Sequence, residues 1–321
     1  MIETVLSRKE LLDEPPVLVD VGASGDVFGP WARIAPFAHC IAFDPDVRDI
    51  AIIEGKSSGF RSLRVLPRIV ADRSIPDYPF HLARSPHCSS CLPPDQASLS
   101  AYSFASAFET VKKASLPATT LADALREVGL PRVDWLKVDA QGLDLRVFKH
   151  LPPDVADTLL VVDFEPGIMA AYQGEDRLHH LMAHMEGRPY WCSGFEIKGD
   201  FRIDEQLLAA NFGAREIRLL QATHRRSPGW AQLQYFASFP PAAQRPMRDY
   251  LLGWVFATVV GHHLFALQLA VTLERQFGDA QASDLIKASR GAVRRDYLRA
   301  FGSRAARAVW AVLPMFRPPQ A

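Results

Sequence analysis

The sequence predicts an α/β protein: a Rossmann-like, doubly wound and mostly parallel sheet with an antiparallel edge, followed by an all-helical C-terminal extension. Short apolar runs alternate with amphipathic segments, which is the pattern of buried parallel strands covered by helices. Several of these runs end in glycine or aspartate, at the edge of the sheet where such folds bind their ligands. Of the 321 residues, 48% are hydrophobic and 22% are charged, as in an ordinary globular protein.

The predicted elements follow in order along the chain. Strands are predicted at residues 17–21, 40–43, 64–71, 77–82, 133–138, 158–164 and about 233–239. Helices are predicted at residues 1–14, from the first glycine turn to Phe37, and at residues 47–54, 120–128 and 143–150. The prolines between Pro240 and Pro246 indicate a boundary, so we expect one domain over residues 1–240 and a helical extension over residues 241–321.

Composition narrows the function. The chain has 36 basic and 36 acidic residues, so its overall charge gives no reason to expect a nucleic-acid partner. The four cysteines are too few and too scattered for a disulfide framework. The first residues contain charges throughout and no apolar core of a secretory signal, which makes the cytoplasm the expected compartment.

The turn after the first strand, residues 20–26, is built from small residues between two aspartates. Such a turn lets the backbone approach a ligand closely, but it lacks the G-x-G-x-x-G pattern that a dinucleotide pyrophosphate requires. Adenosylmethionine has no phosphate and tolerates a looser turn. The cofactor contacts predicted here are Asp20, near the ligand ammonium, with Gly22, Ala23, Ser24 and Gly25. A purely structural tight turn is the alternative.

Two further aspartates end predicted strands. Asp44 lies 22 residues after Gly22, where a carboxylate accepts both ribose hydroxyls of a nucleoside. Asp72 follows the predicted third strand, and we expect it to accept a hydrogen bond from the adenine amino group. Each aspartate could instead only cap the next helix, but three acidic strand ends in order favour a cofactor site.

The segment DWLKVDAQGLDLRVFKHL, residues 134–151, resembles the signature of FkbM methyltransferases, commonly written K-I-D-x-E-G-x-E before an apolar helix. Lys137, Asp139, Gly142 and Leu145 match, whereas Gln141 and Asp144 replace the two glutamates. The segments VLVDVGAS, IAFDPD, SPHCSS and LPATTLADAL are also similar to the family, in the family's order. The resemblance runs from about Val17 to Phe239 and implies a class I methyltransferase fold.

The resemblance implies O-methylation of a small-molecule or glycan acceptor, with adenosylmethionine as cofactor. An alcohol must lose its proton in this reaction, which requires a base or a Lewis-acid metal ion. Asp139 and Glu165, at neighbouring strand ends, and His87, in the serine-rich loop, are the candidate catalytic residues. The two carboxylates could instead hold a divalent metal ion, which prefers oxygen ligands. The rivals are a nicotinamide-dependent oxidoreductase, disfavoured by the missing glycine pattern, and a non-catalytic scaffold that retains the fold.

The C-terminal extension has two notable features. Residues 251–273 contain no Asp, Glu, Lys or Arg and are long enough to span a bilayer. His262, His263 and Gln268 near the middle of this run favour instead a helix packed against the first domain or in a homodimer. The last residues space Val293, Tyr297 and Phe301 four apart among arginines. This basic amphipathic helix either contacts an anionic membrane surface or pairs with the acidic remainder of the chain.

Overall fold

The computed structural model describes residues 1–23, 27–46, 59–240 and 243–302. The side chains of residues 300–302 are not described. Its strands are β1 (Val17–Val21), β2 (His39–Phe43), β3 (Ser62–Leu66), β4 (Ile69–Val70), β5 (Ile75–Ala83), β6 (Thr110–Thr119), β7 (Trp135–Val138), β8 (Val161–Phe164), β9 (Tyr190–Asp200) and β10 (Ser227–Ala237). Two compact units are present, one of residues 14–244 and one of residues 1–13 together with the chain from Arg245 onward.

The helices of the larger unit are α3 (Gln96–Leu99), α4 (Leu121–Val128), α5 (Asp144–Lys149), α6 (Pro153–Ala156), α7 (Leu178–Met185), α8 (Glu205–Asn211) and α9 (Ala214–Thr223). The smaller unit contains α1 (Ile2–Leu6), α2 (Lys9–Asp13), α10 (Met247–Val259), α11 (His263–Phe277) and α12 (Ala282–Gly302). The predicted boundary near residue 240 stays a prediction, but it did not anticipate that residues 1–13 group with the C-terminal helices.

A seven-stranded sheet in the order β3-β2-β1-β7-β8-β10-β9 forms the centre of the larger unit. Five neighbouring strands of this sheet run parallel, namely β3, β2, β1, β7 and β8. Strand β10 pairs antiparallel with both β8 and β9. Every residue of β1 is buried, because apolar side chains cover both faces of a central parallel strand. The predicted Rossmann-like fold with an antiparallel edge is therefore confirmed.

The strand predicted over residues 64–71 was wrong in extent. The chain forms β3, which ends at Leu66 and pairs with β2, and then β4, which joins β5 and β6 in a separate three-stranded sheet. Pro67 stands between the two strands and has no backbone N–H to continue the ladder. Asp72 consequently follows a strand of the small sheet and not the third strand of the main sheet.

The helix predicted from the first turn to Phe37 was also wrong. In the described part of this stretch the chain makes two short 3₁₀ turns, Gly29–Arg33 and Ala35–Phe37, each with a proline in its first turn. Pro30 and Pro36 interrupt the hydrogen bonds of a longer helix. The helix predicted at residues 47–54 lies outside the described residues. The helix predicted at 120–128 is confirmed as α4, with Thr120 as its N-cap and Gly129 in the left-handed region at its end.

In the smaller unit the uncharged run 251–273 is not one helix. It breaks at Gly261, whose φ of 82° lies in the left-handed region, and forms the hairpin of α10 and α11. His263 lies beside Asp296 of α12, with 3.4 Å between ring nitrogen and carboxylate. Over the described ranges of the chain, no helix has the length and apolar content needed to cross a bilayer. The apolar stripe predicted through Val293, Tyr297 and Phe301 lies only partly within the described residues, because no side chain is described from Phe301 onward.

Candidate functional site

Two adjoining clefts lie in the larger unit at the carboxyl ends of β1, β2, β7 and β8. The first cleft has a volume of about 620 Å³ and is lined by Gly22, Phe43, Asp44, Asp46, Ile69, Val70, Phe80, Ser89 and Cys91, among others. The second cleft has a volume of about 1100 Å³ and is lined by Phe104, Phe108, Glu165, Tyr172, Glu175, Asp200 and Trp230, among others. His87, Asp139 and Gln141 line both clefts, so the two cavities meet at these side chains.

The wall of the first cleft at the end of β2 is acidic and ordered. The Asp46 amide donates a hydrogen bond of 2.7 Å to Asp44 Oδ1, and the Ser89 hydroxyl donates one of 2.9 Å to Asp46 Oδ2. Both aspartates are buried. Ser89 also accepts a hydrogen bond from the Ala83 amide at 3.1 Å, which anchors the serine-rich loop to β5. Asp44 is thus held in the lining of the first cleft, and its contact with a ribose stays a prediction.

The other residues predicted from the first turn are distributed differently. Gly22 lines the first cleft with a φ of 79°, and a Cβ built on it would lie 2.2 Å from the Asp139 carbonyl oxygen. Only glycine therefore allows the turn after β1 to approach the turn after β7 this closely. Ala23 is buried against Ala42, outside the cleft lining. Ser24 and Gly25 lie outside the described residues.

Asp20 is directed at a lysine and not at the cleft. Its Oδ1 accepts a hydrogen bond of 2.7 Å from Lys137 Nζ, and both side chains are largely buried. Burial alone would lower the pKa of Lys137, but the carboxylates of Asp20, Asp139 and Glu165 together raise it above its ordinary value. The ammonium therefore stays charged beneath the site and links β1 to β7.

Asp139 stands where the two clefts meet. It accepts a hydrogen bond of 2.5 Å from Gln141 Nε2. Burial raises the pKa of Asp139 well above its ordinary value, and the charge of Glu165 adds to this, while Lys137 opposes it. A carboxyl group with a raised pKa at a cavity junction is a stronger base than an ordinary carboxylate and is suited to accept a proton there. Glu165 lines the second cleft, so the structure brings these two predicted residues together.

Aromatic and acidic residues form the walls of the second cleft. Ring centroids lie 6.3 Å apart for Phe104 and Trp230 and 5.6 Å apart for Phe108 and Tyr172. The acidic side chains are Asp139, Glu165, Glu175 and Asp200, and none of the described lining residues is Lys or Arg. Burial raises the pKa of Glu175 to about 7. The cleft therefore presents flat apolar faces together with hydrogen-bond acceptors.

His87, a candidate catalytic residue from the sequence, occupies a short 3₁₀ turn, Pro86–Cys88, and borders both clefts. The neighbouring cysteines are free thiols. Burial raises the pKa of Cys88 to about 11 and that of Cys91 to about 12, so neither is a ready thiolate. Within the described ranges, no group of three or more His, Cys, Asp or Glu side chains is arranged to hold a metal ion.

Asp72 departs from its expected place. It is exposed at the end of β4 and does not line either cleft. The apolar residues Ile69, Val70 and Phe80 line the part of the first cleft that this strand borders. Sequence reasoning missed the aromatic wall of the second cleft, since Phe104, Tyr172 and Trp230 belong to no strand-end pattern.

The chain was compared with models of known protein families. Residues 49–188 match the family described as the methyltransferase FkbM domain. This range contains Asp139, Gln141 and Glu165 and most of the lining of both clefts. No curated protein matches the chain.

Proposed function

We propose that this chain, whose residues 49–188 match the FkbM methyltransferase domain, is an adenosylmethionine-dependent O-methyltransferase of a carbohydrate or secondary-metabolite hydroxyl. One observation carries the proposal: two clefts of different character meet at Asp139, Gln141 and His87. A group-transfer enzyme must hold donor and acceptor side by side with the reacting atoms close and in line. Two cavities that share one set of polar side chains meet this requirement.

The residues of the first cleft fit adenosylmethionine. The buried Asp44 carboxylate would accept hydrogen bonds from the ribose hydroxyls. Ile69, Val70 and Phe80 would cover the apolar adenine ring, and Gly22 leaves room for close approach of the backbone. When bound, the cofactor supplies a methyl group that is already activated on a sulfonium.

The second cleft supports a neutral acceptor rich in hydroxyl groups. Aromatic faces such as those of Phe104 and Trp230 pack against the apolar face of a sugar ring or a polyketide chain. The carboxylates of Glu165, Glu175 and Asp200 accept hydrogen bonds from hydroxyl groups. An anionic acceptor would meet like charges there, with no Lys or Arg among the described lining residues to offset them.

Asp139 acts as the base in this proposal. It accepts the proton that the acceptor hydroxyl loses, and the electron pair of the broken O–H bond stays on the acceptor oxygen. The ion pair of Lys137 with Asp20 fixes the strand that leads into Asp139. Gln141 holds the Asp139 carboxylate through the 2.5 Å hydrogen bond. Glu165 orients the acceptor, and His87 contacts it from the loop side.

The test begins with calorimetric titration of the full chain with adenosylmethionine, adenosylhomocysteine, NAD and NADP. We expect binding of the first two only. Tritiated methyl transfer is then measured on a panel of neutral sugars, uronic acids and hydroxylated polyketides. An alkali-stable methyl ether on a neutral acceptor supports the proposal. Binding of a nicotinamide cofactor without adenosylmethionine binding, or a base-labile methyl ester as product, would overturn it.

A further inference from the structure

A chain of hydrogen bonds leads away from Asp139 into the protein. Gln141 Nε2 lies 2.5 Å from Asp139 Oδ1, and Gln141 Oε1 lies 2.8 Å from the Tyr172 hydroxyl. The same hydroxyl lies 3.0 Å from the Cys88 carbonyl oxygen. A phenol has one proton to donate, so it has two acceptors within reach and donates fully to only one of them.

The backbone of Gln141 is held in an unusual conformation. Its φ of 48° lies in the left-handed region, which a side-chain-bearing residue seldom adopts. The Ser90 hydroxyl, itself buried, donates a hydrogen bond of 2.7 Å to the Gln141 carbonyl oxygen. Strained backbone of this kind persists at functional sites when its surroundings hold it. Here it directs the amide between a carboxyl group and a phenol.

We propose that the Gln141 amide and the Tyr172 hydroxyl form a two-position hydrogen-bond relay that accommodates Asp139 both with and without its proton. This inference rests on the proposed role of Asp139 as the base. It assigns Gln141 and Tyr172 as positioning residues, because Gln141 acts on Asp139 directly and Tyr172 acts on it through Gln141.

In each position of the relay Asp139 stays hydrogen-bonded to the Gln141 amide, and the amide stays hydrogen-bonded to Tyr172. With Asp139 ionised, Gln141 Nε2 donates to the carboxylate and Tyr172 donates to Gln141 Oε1. With Asp139 protonated, the amide turns over: the carboxylic acid donates to Gln141 Oε1, Nε2 donates to the Tyr172 oxygen, and Tyr172 donates to the Cys88 carbonyl. The second acceptor of Tyr172 is what allows this reversal. The proton that Asp139 takes from an acceptor hydroxyl thus finds an acceptor in Gln141 Oε1, and Gln141 Nε2 finds one in the Tyr172 oxygen.

Other charged and titratable groups also face Asp139. Glu165 and Asp144 raise the pKa of its carboxyl group in addition to burial, and Lys137 lowers it. On the loop side stand His87 and the Cys88 thiol, and burial keeps the pKa of Tyr172 well above its ordinary value. Tyr172 therefore remains a neutral donor throughout the range in which Asp139 titrates.

The test measures the pKa of Asp139 directly, by ¹³C NMR of the full chain labelled at aspartate Cγ, with Asp139→Asn to assign the signal. Gln141→Leu removes a charge-assisted hydrogen bond from the ionised form, so the pKa of Asp139 should rise by about one unit. Tyr172→Phe should lower it by roughly half a unit. Without the hydroxyl, the protonated position leaves an amide N–H orphaned, and an orphaned N–H is less tolerable than an orphaned carbonyl oxygen.

The opposite signs separate a relay from a fixed support. If Tyr172 only strengthened the Gln141 hydrogen bond to the carboxylate, Tyr172→Phe would raise the pKa of Asp139. A rise, or no change, in that variant overturns the proposal. Tyr190→Phe is the matched control, since its hydroxyl also lies between two carbonyl oxygens, those of Ala156 and Leu159, away from both clefts. Gln234→Leu is the control for the amide: it should move Asp163, to which Gln234 donates at 3.0 Å, and leave Asp139 unchanged.

Wild-type protein supplies a second measurement if a variant fails to fold. The ¹⁵N signal of the Gln141 side-chain amide should titrate with the same midpoint as Asp139, and a flat signal contradicts the relay. Failure of the relay is distinguishable from failure of the proposed function. If Asp139→Asn still binds adenosylmethionine and transfers the methyl group, Asp139 is not the base, whatever the titrations give. Normal activity of the wild type with a flat Gln141 signal removes only the relay.

Discussion

The carboxylate of Asp144 accepts a hydrogen bond of 2.9 Å from the backbone amide of Glu165. Its other oxygen accepts one of the same length from the amide of Ala140. One buried side chain at the start of α5 therefore holds the turns after both β7 and β8. Asp139 and Glu165, the two candidate carboxylates, are positioned by these turns.

Replacing Asp144 by alanine should destabilise the fold and disturb the site together. Two buried backbone amides lose their acceptor, at a cost of about 1–3 kcal/mol each, so the free energy of unfolding should fall by about 2 kcal/mol or more. Urea unfolding measures the loss. Asp154→Ala, at an exposed position in α6, is the control and should change stability by less than about 0.5 kcal/mol. Equal effects of the two variants would contradict the bracing role of Asp144.

Asp44→Ala should weaken adenosylmethionine binding strongly and leave the fold intact. Each lost charge-assisted hydrogen bond to a ribose hydroxyl costs about 1.5–3 kcal/mol, which is roughly tenfold or more in affinity. Asp72→Ala is the comparison, because Asp72 is exposed and lies outside the lining of the first cleft. Calorimetry should give Asp72→Ala an affinity within about twofold of the wild type. A larger loss for Asp72 than for Asp44 would restore the adenine contact predicted from the sequence and remove the ribose assignment.

Asp139→Asn should cut methyl transfer by about 10²- to 10⁴-fold, the usual contribution of a general base, with little change in cofactor affinity. Glu165→Gln should mainly raise the KM for the acceptor, since its carboxylate lines only the second cleft. Steady-state kinetics separates the two effects. If His87→Gln lowers the rate more than Asp139→Asn does, the proton passes to the histidine instead.

The first cleft could be predicted because its chemistry lies where buried strands end. A run of apolar residues that stops at Asp44 gives both the strand and the position of the carboxylate. Asp72 was misplaced because Pro67 ends β3 early, and the pattern of apolar residues continues across that break into another sheet. The ion pair between Asp20 and Lys137 could not be predicted from the sequence either, because it depends on which strand lies next to β1 in the sheet.

The lining of the second cleft could not be predicted from the residues at strand ends. Phe104, Tyr172 and Trp230 come from three segments far apart in sequence, and two of these segments are loops and turns with no periodic pattern. Only the tertiary fold brings them together. The break at Gly261 is a local case of the same limit, because a single glycine inside an apolar run is compatible with either a continuous helix or a turn.

Stability should fall as pH rises from about 5 to 8. Burial raises the pKa of both Asp144 and Glu175 to about 7 in the folded protein, whereas unfolded carboxyl groups titrate near 4. Between these values the folded state binds more protons than the unfolded state, so the free energy of unfolding decreases with pH. This contribution is fully present below about pH 4 and is lost as pH rises through about 7.

Glu175→Gln should flatten that dependence, because the amide keeps an oxygen to accept the Ala171 N–H at this position but carries no charge to bury. Urea unfolding at pH 5, 6, 7 and 8 gives the slope for each protein. Glu127→Gln is the control: its carboxylate is exposed beside Arg68, which lowers its pKa, so its replacement leaves the slope between pH 5 and 8 unchanged. A Glu175→Gln slope as steep as that of the wild type would mean that Glu175 is already ionised in the folded protein. In that case the acidic wall of the second cleft carries its full charge at neutral pH, and its discrimination against anionic acceptors should be stronger than a half-protonated Glu175 allows.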